Sequence, residues 1–61
     1  MENLRKTYFI DEINEETIFF FTDATESTIE SLSFAGEWYH VKKGLILFGY
    51  TVIEEPVINL N

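Results

Sequence analysis

Cysteine is absent from this chain of sixty-one residues, proline and histidine occur once each, and glycine occurs three times. Without cysteine no disulfide can brace the fold. Structural zinc, which takes four Cys or His ligands, would find only His40. Basic residues are also scarce: four Lys and Arg stand against eleven Asp and Glu, giving a formal charge of −7. Such a charge repels nucleic-acid backbones and anionic membranes over a Debye length of about 8 Å, and it suits a partner with a basic surface. No apolar run reaches the roughly 20 residues of a membrane span. Arg5 and Lys6 are followed by Tyr8-Phe9-Ile10 and then by acid, too short a stretch for the apolar region of a signal peptide. A cytoplasmic location is the expectation, and the missing cysteines agree with it.

Rings and branched side chains are plentiful instead. Tyr8, Phe9, Phe19, Phe20, Phe21, Phe34, Trp38, Tyr39, Phe48 and Tyr50 are spread over the chain. A chain this short buries only about 60% of its unfolded surface, so dense aromatic packing and self-association are the supports left to it. The apolar content is too high for a disordered acidic peptide, and one folded domain over residues 1–61 is expected.

The pattern reads as mainly β. A first strand is predicted from Lys6 to Glu12 and a second from Thr17 to Thr22, with Asn14 the turn residue suited to positive φ. Rings at Phe19, Phe20 and Phe21 occupy both faces of the second strand, so at least one points out of any sheet that is wet on one side. The segment from Asp23 to Gly36 is ambiguous. Asp23 and Glu26 resemble a helix-start box and Gly36 a helix end, yet the many Ser and Thr are mediocre helix formers. A short strand near Ser27 to Leu32 is favoured, with a helix or helical turn near residues 24–35 as the other reading. Glu37 to Val41 reads as a further strand, Lys42-Lys43-Gly44 as a turn, and Leu45 to Ile53 as one long strand bending at Gly49. A last short strand follows Pro56, over Val57 to Leu60. Five or so strands joined by short turns predict an antiparallel meander or a small SH3-like barrel.

Ile10-Asp11-Glu12-Ile13, then Thr17-Ile18-Phe19-Phe20, then Val41-Lys42-Lys43-Gly44-Leu45-Ile46 resemble the layout of a family of short Gram-positive bacterial proteins of unknown function. This chain departs from that layout in lacking a middle proline, in carrying Glu12 where the family has a basic residue, and in having no glycine in its first turn. The resemblance implies a small β fold and carries no activity or site to transfer.

No catalytic constellation emerges. His40 has no serine in a nucleophile-elbow context beside it, and Gly36, Gly44 and Gly49 are spaced for turns rather than for a phosphate loop. Asp11 to Glu16 lacks the glycine and the length of a calcium loop. Neighbours on a strand face opposite ways, so Glu15-Glu16 and Glu54-Glu55 do not converge. No enzymatic activity, metal or cofactor is expected. The residues expected to meet partners are the rings Phe20, Trp38, Tyr39 and Phe48 and the carboxylates Glu15, Glu16, Glu54 and Glu55. Two functions fit them: a self-associating protein-interaction module, such as a homodimer, or an inhibitor that mimics nucleic acid and occupies the basic groove of a nucleic-acid enzyme. A third, weaker fit is single-strand binding by stacking on Trp38 and Tyr39, beside Lys42 and Lys43.

Overall fold

A computed structural model describes residues 3–56. The order of elements is β1 (Arg5–Asp11), β2 (Glu16–Thr22), α1 (Glu26–Leu32), a 3₁₀ turn (Ser33–Ala35), α2 (Trp38–Leu47) and β3 (Val52–Glu54). The three strands form one antiparallel sheet in the order β1-β2-β3. The fold is therefore mixed α/β: the sheet is antiparallel and in sequential order, but open and of three strands, where a meander or small barrel of about five was expected.

β1 and β2 pair from Arg5↔Thr22 to Asp11↔Glu16, as alternation of side chains predicts to within a residue at each end. Phe9 and Asp11 of β1 and Ile18, Phe20 and Thr22 of β2 share the buried face. The positive φ of the connecting turn falls on Glu15, at 56°, rather than on Asn14. Asn14 is held by a different device: its backbone N–H and its side-chain amide both donate to the Asp11 carboxylate, each at 2.9 Å. That local Asx-type closure sets the turn.

The segment after β2 is helical, not a strand. Thr25 caps α1 by accepting from the Thr28 N–H at 3.2 Å. Asp23, the expected cap, instead accepts from the Thr51 N–H at 2.9 Å and so ties the loop before β3 to the end of β2. Gly36, at φ 79°, ends the 3₁₀ turn as its spacing suggests.

The largest correction concerns residues 37–53. Trp38, Val41 and Leu45 are buried on one side of a helix, where alternation placed Trp38 and Val41 on opposite faces of a strand. Lys42, Lys43 and Gly44 lie inside α2 rather than in a turn. A Cβ at Gly44 would stand 3.1 Å from Leu32, so the bare backbone lets the two helices approach. Beyond Leu47 the chain reverses: the Gly49 N–H donates to Ile46 and the Tyr50 N–H to Leu45, with Gly49 at φ 94°. This closure satisfies the last carbonyls of the helix and needs a residue free to take a left-handed conformation. The predicted long strand thus divides into the end of a helix, a turn and the short β3. The strand predicted over Val57 to Leu60 lies outside the described residues.

The core is a single cluster of Phe9, Ile18, Phe20, Ala24, Ile29, Trp38, Val41 and Leu45, with Leu32, Ala35, Tyr50 and Val52 packed at its margin. The Trp38 ring lies 4.6 Å from Phe20 and 5.9 Å from Phe9 by centroid, so one side chain joins α2 to both long strands.

What fixes the start of α2 comes from elsewhere in the chain. Glu37 makes no side-chain cap. The N–H of Trp38 donates instead to the buried Asp11 carboxylate, 2.9 Å away and 27 residues earlier. Asp11 accordingly accepts from both the first turn and the helix. The Asn14 amide and, after it, the Trp38 N–H hold its carboxyl below the ordinary aspartate range.

Phe20→Ala removes a fully buried ring and costs about 3–5 kcal/mol, comparable with the whole stability of about 3–9 kcal/mol expected at this length. Circular dichroism will show the variant largely unfolded, whereas Phe34→Ser, at a side chain 87% exposed, leaves the urea midpoint nearly unchanged. A carboxyl whose pKa is lowered by folding stabilises the native state above its unfolded value, near about 3.9, and loses that contribution as pH falls through the folded value. Asp11→Asn is therefore less stable than the parent in neutral urea titrations, and the gap narrows toward zero in strong acid.

Candidate functional site

Both helices lie on one face of the sheet, and among the described residues no element covers the other. Tyr8 and Ile10 of β1, Phe19 of β2 and Ile53 of β3 are exposed there. The Tyr8 and Phe19 rings meet at 6.1 Å, and the Lys6 ammonium lies 5.7 Å from the Phe19 ring while it pairs with Glu55 at 2.8 Å. An apolar strip bordered by one ion pair thus crosses all three strands.

A second apolar surface lies on the outer side of α2. Trp38, Val41 and Leu45 turn inward, which leaves Tyr39, Lys43, Ile46 and Leu47 outward, with Phe48 just past the helix. Tyr39, Ile46 and Leu47 border an open hollow of about 310 Å³ together with Lys42 and Lys43. Leu47 is 75% exposed.

The residues expected to meet partners divide between core and surface. Phe20 and Trp38 are core residues, Phe20 wholly buried and Trp38 7% exposed. Burial of Trp38 also breaks up the stacking platform read from Trp38 and Tyr39, since only Tyr39 reaches solvent. Tyr39 and Phe48 are exposed on the α2 side. Glu15 and Glu16 are exposed at the β1–β2 turn and, like Glu12 and Glu30, make no ion pair among the described residues. Glu54 and Glu55 diverge to opposite faces, as expected. Glu55 meets Lys6 on the bare face, whereas Glu54 pairs with Lys42 of α2.

Lys42 beside Glu54 holds that carboxyl below the usual glutamate range. Glu54, Trp38 and the start of β2 also line a hollow of about 290 Å³ next to Pro56. His40 sits on the surface of α2, its Nε2 3.3 Å from Glu37 and its ring 5.3 Å from Tyr39. Glu37 in turn accepts from the Asn14 side chain at 3.1 Å, so His40 ends a chain of contacts that begins at Asp11.

A feature that the sequence reading missed is the groove between β1 and α1, about 660 Å³ in volume. Phe9 and Ile29 form its floor, and Glu26 and Glu30 stand on its helical wall. The signal for it was the spacing of Glu26 and Glu30, one helical turn apart, which has meaning only once α1 is recognised as a helix. Among the described residues no group of three or more His, Cys, Asp or Glu could hold a metal ion, and no helix is long and apolar enough to cross a membrane. No family profile, curated protein or solved structure matches the chain.

The Lys42–Glu54 pair is more than a third exposed, so its worth is that of a surface bridge, about 0.2–1 kcal/mol. A double-mutant cycle with Lys42→Met and Glu54→Gln will give a coupling within that range in dilute buffer, and molar salt will abolish most of it.

Proposed function

We propose that this chain is a small acidic, non-enzymatic protein-interaction module that associates with itself through apolar side chains its fold leaves outward. The observation that carries the reading is the bare sheet face of Tyr8, Ile10, Phe19 and Ile53, with the outer side of α2 as a second candidate surface. Soluble monomers rarely leave large contiguous apolar patches open to water, and such patches mark interaction surfaces. Two sheets can stack about 10 Å apart with their side chains interdigitated, which would cover the strip on each copy.

The acidic charge fits this reading as the solvated remainder of the surface. A nucleic-acid mimic places carboxylates where it meets its target. Here Glu26, Glu54 and Glu55 are engaged by Arg5, Lys42 and Lys6, while exposed apolar side chains gather on the sheet face and on the outer side of α2.

Sedimentation equilibrium at high micromolar concentration will show a species heavier than the monomer, little weakened by added salt. Ile53→Lys on the sheet and Leu47→Lys on α2 both replace exposed side chains, so each changes stability by no more than about 0.5 kcal/mol. The substitution on the face in use weakens association about tenfold or more. A strict monomer at these concentrations contradicts the proposal, and a salt-labile complex with a basic enzyme would favour the mimic.

A further inference from the structure

β1 is an edge of the sheet: β2 pairs with one side of it, and among the described residues no strand lies on the other. In an antiparallel ladder every second residue turns its N–H and C=O toward the neighbouring strand. The alternate residues of Arg5–Asp11 therefore present theirs outward, a ready template for one more strand.

The groove beside this edge has the dimensions and chemistry to receive one. Phe9 and Ile29 line it together with the hydroxyl residues Thr7, Ser27 and Ser33, and Glu26 and Glu30 stand on its α1 side. Glu26 is held by Arg5 at 2.9 Å, while Glu30 makes no ion pair among the described residues. On the outer rim Tyr8 and Ile10 are each 56% exposed. Residues four apart on a helix lie about 6 Å apart along its axis, and alternate residues of a strand lie about 6.7 Å apart.

We propose that the β1 edge takes up an extended segment of a basic partner protein as a fourth strand. Its groove-facing residues are Lys or Arg, whose stems lie over Phe9 and Ile29 while their charged heads reach Glu30 and Glu26. The opposite parity carries branched or aromatic residues that pair across the strands with Tyr8 and Ile10. Main-chain hydrogen bonds supply the affinity, and the alternating pattern supplies the selectivity. A second copy of this chain fits the groove less well. Its own β1 would bring Thr7, Phe9 and the buried Asp11 to the groove-facing parity, and pairing would join two molecules of charge −7. Strand addition uses the backbone edge of β1 and self-association the exposed sheet face; Tyr8 and Ile10 belong to both, so each is measured on its own.

The test uses the full isotope-labelled chain and two synthetic peptides of equal charge. One alternates Lys with Val and Tyr; the other has proline at its centre, which removes a ladder donor and breaks the strand. The alternating peptide is expected to saturate, with amide shifts concentrated at Thr7 to Ile10 and along α1. The proline peptide binds at least about tenfold more weakly. Glu30→Lys weakens the Lys peptide by a similar factor and gains binding to a peptide alternating Glu with Val, with Glu30→Gln falling between and far-UV circular dichroism verifying the fold of both. Equal binding of the two Lys peptides, shifts centred on another face, or indifference to both substitutions at Glu30 would overturn the proposal. Sedimentation of the same sample without peptide reads self-association separately, so failure of one reading is not mistaken for failure of the other.

Discussion

The carboxylate of Asp11 is the point on which the two layers of this fold depend. It ends β1, closes the first turn through Asn14 and accepts the leading N–H of α2. A helix that starts on Glu37 without a local side-chain cap has its first donor satisfied by a residue at the far end of the sheet. An unmet buried N–H costs free energy comparable to a lost hydrogen bond, and an ionised acceptor at a helix N-terminus adds the favourable dipole interaction. The contact also sets where Trp38 enters the core. Once its backbone is fixed, its ring lies against Phe20 and Phe9, and Val41 and Leu45 follow on the same side of the helix.

This arrangement explains what could be read in the sequence. β1 and β2 were legible because side chains alternate and polar residues interrupt between them. The outward placement of a ring from Phe19 to Phe21 was legible too, since one strand cannot bury both faces against a single layer of helices. α2 was not. On either side of Lys42-Lys43-Gly44, which reads as a turn, the run from Trp38 to Ile53 has apolar residues in both parities, so alternation and the spacing of Trp38, Val41 and Leu45 compete within the same residues. The tie was broken by Asp11, a capping group that no local window contains, and by the closure at Gly49, which reads equally as a strand bend. The α1 segment was undecided for a related reason. Its Ser and Thr have weak helix propensity, but Thr25 serves as a cap and Ile29 gives the helix its buried anchor.

The candidate surfaces follow from the same geometry. One layer of helices can cover one face of a three-stranded sheet, and the chain has no further described element to cover the other. The aromatic side chains that looked interchangeable in the sequence therefore fall into two populations. Phe9, Phe20 and Trp38 build the interior, while Tyr8, Phe19, Tyr39 and Phe48 remain outside. The acids divide as well: Asp11 and Asp23 serve the backbone, Glu26, Glu54 and Glu55 pair with cations, and Glu12, Glu15, Glu16 and Glu30 carry much of the uncompensated charge. Self-association draws on bare apolar area and the strand-accepting edge of β1 on unpaired backbone flanked by acid, and the two meet at Tyr8 and Ile10.

Whether α2 hangs on Asp11 can be read from the side-chain carboxyl resonance of Asp11 and the amide resonance of Trp38, followed by NMR through an acid titration. If Asp11 holds α2 to the sheet, its carboxyl titrates below the ordinary value of about 3.9 and the Trp38 amide moves with the same midpoint. A carboxyl that titrates at the ordinary value, with a Trp38 amide indifferent to it, would mean that Asp11 does not hold the helix.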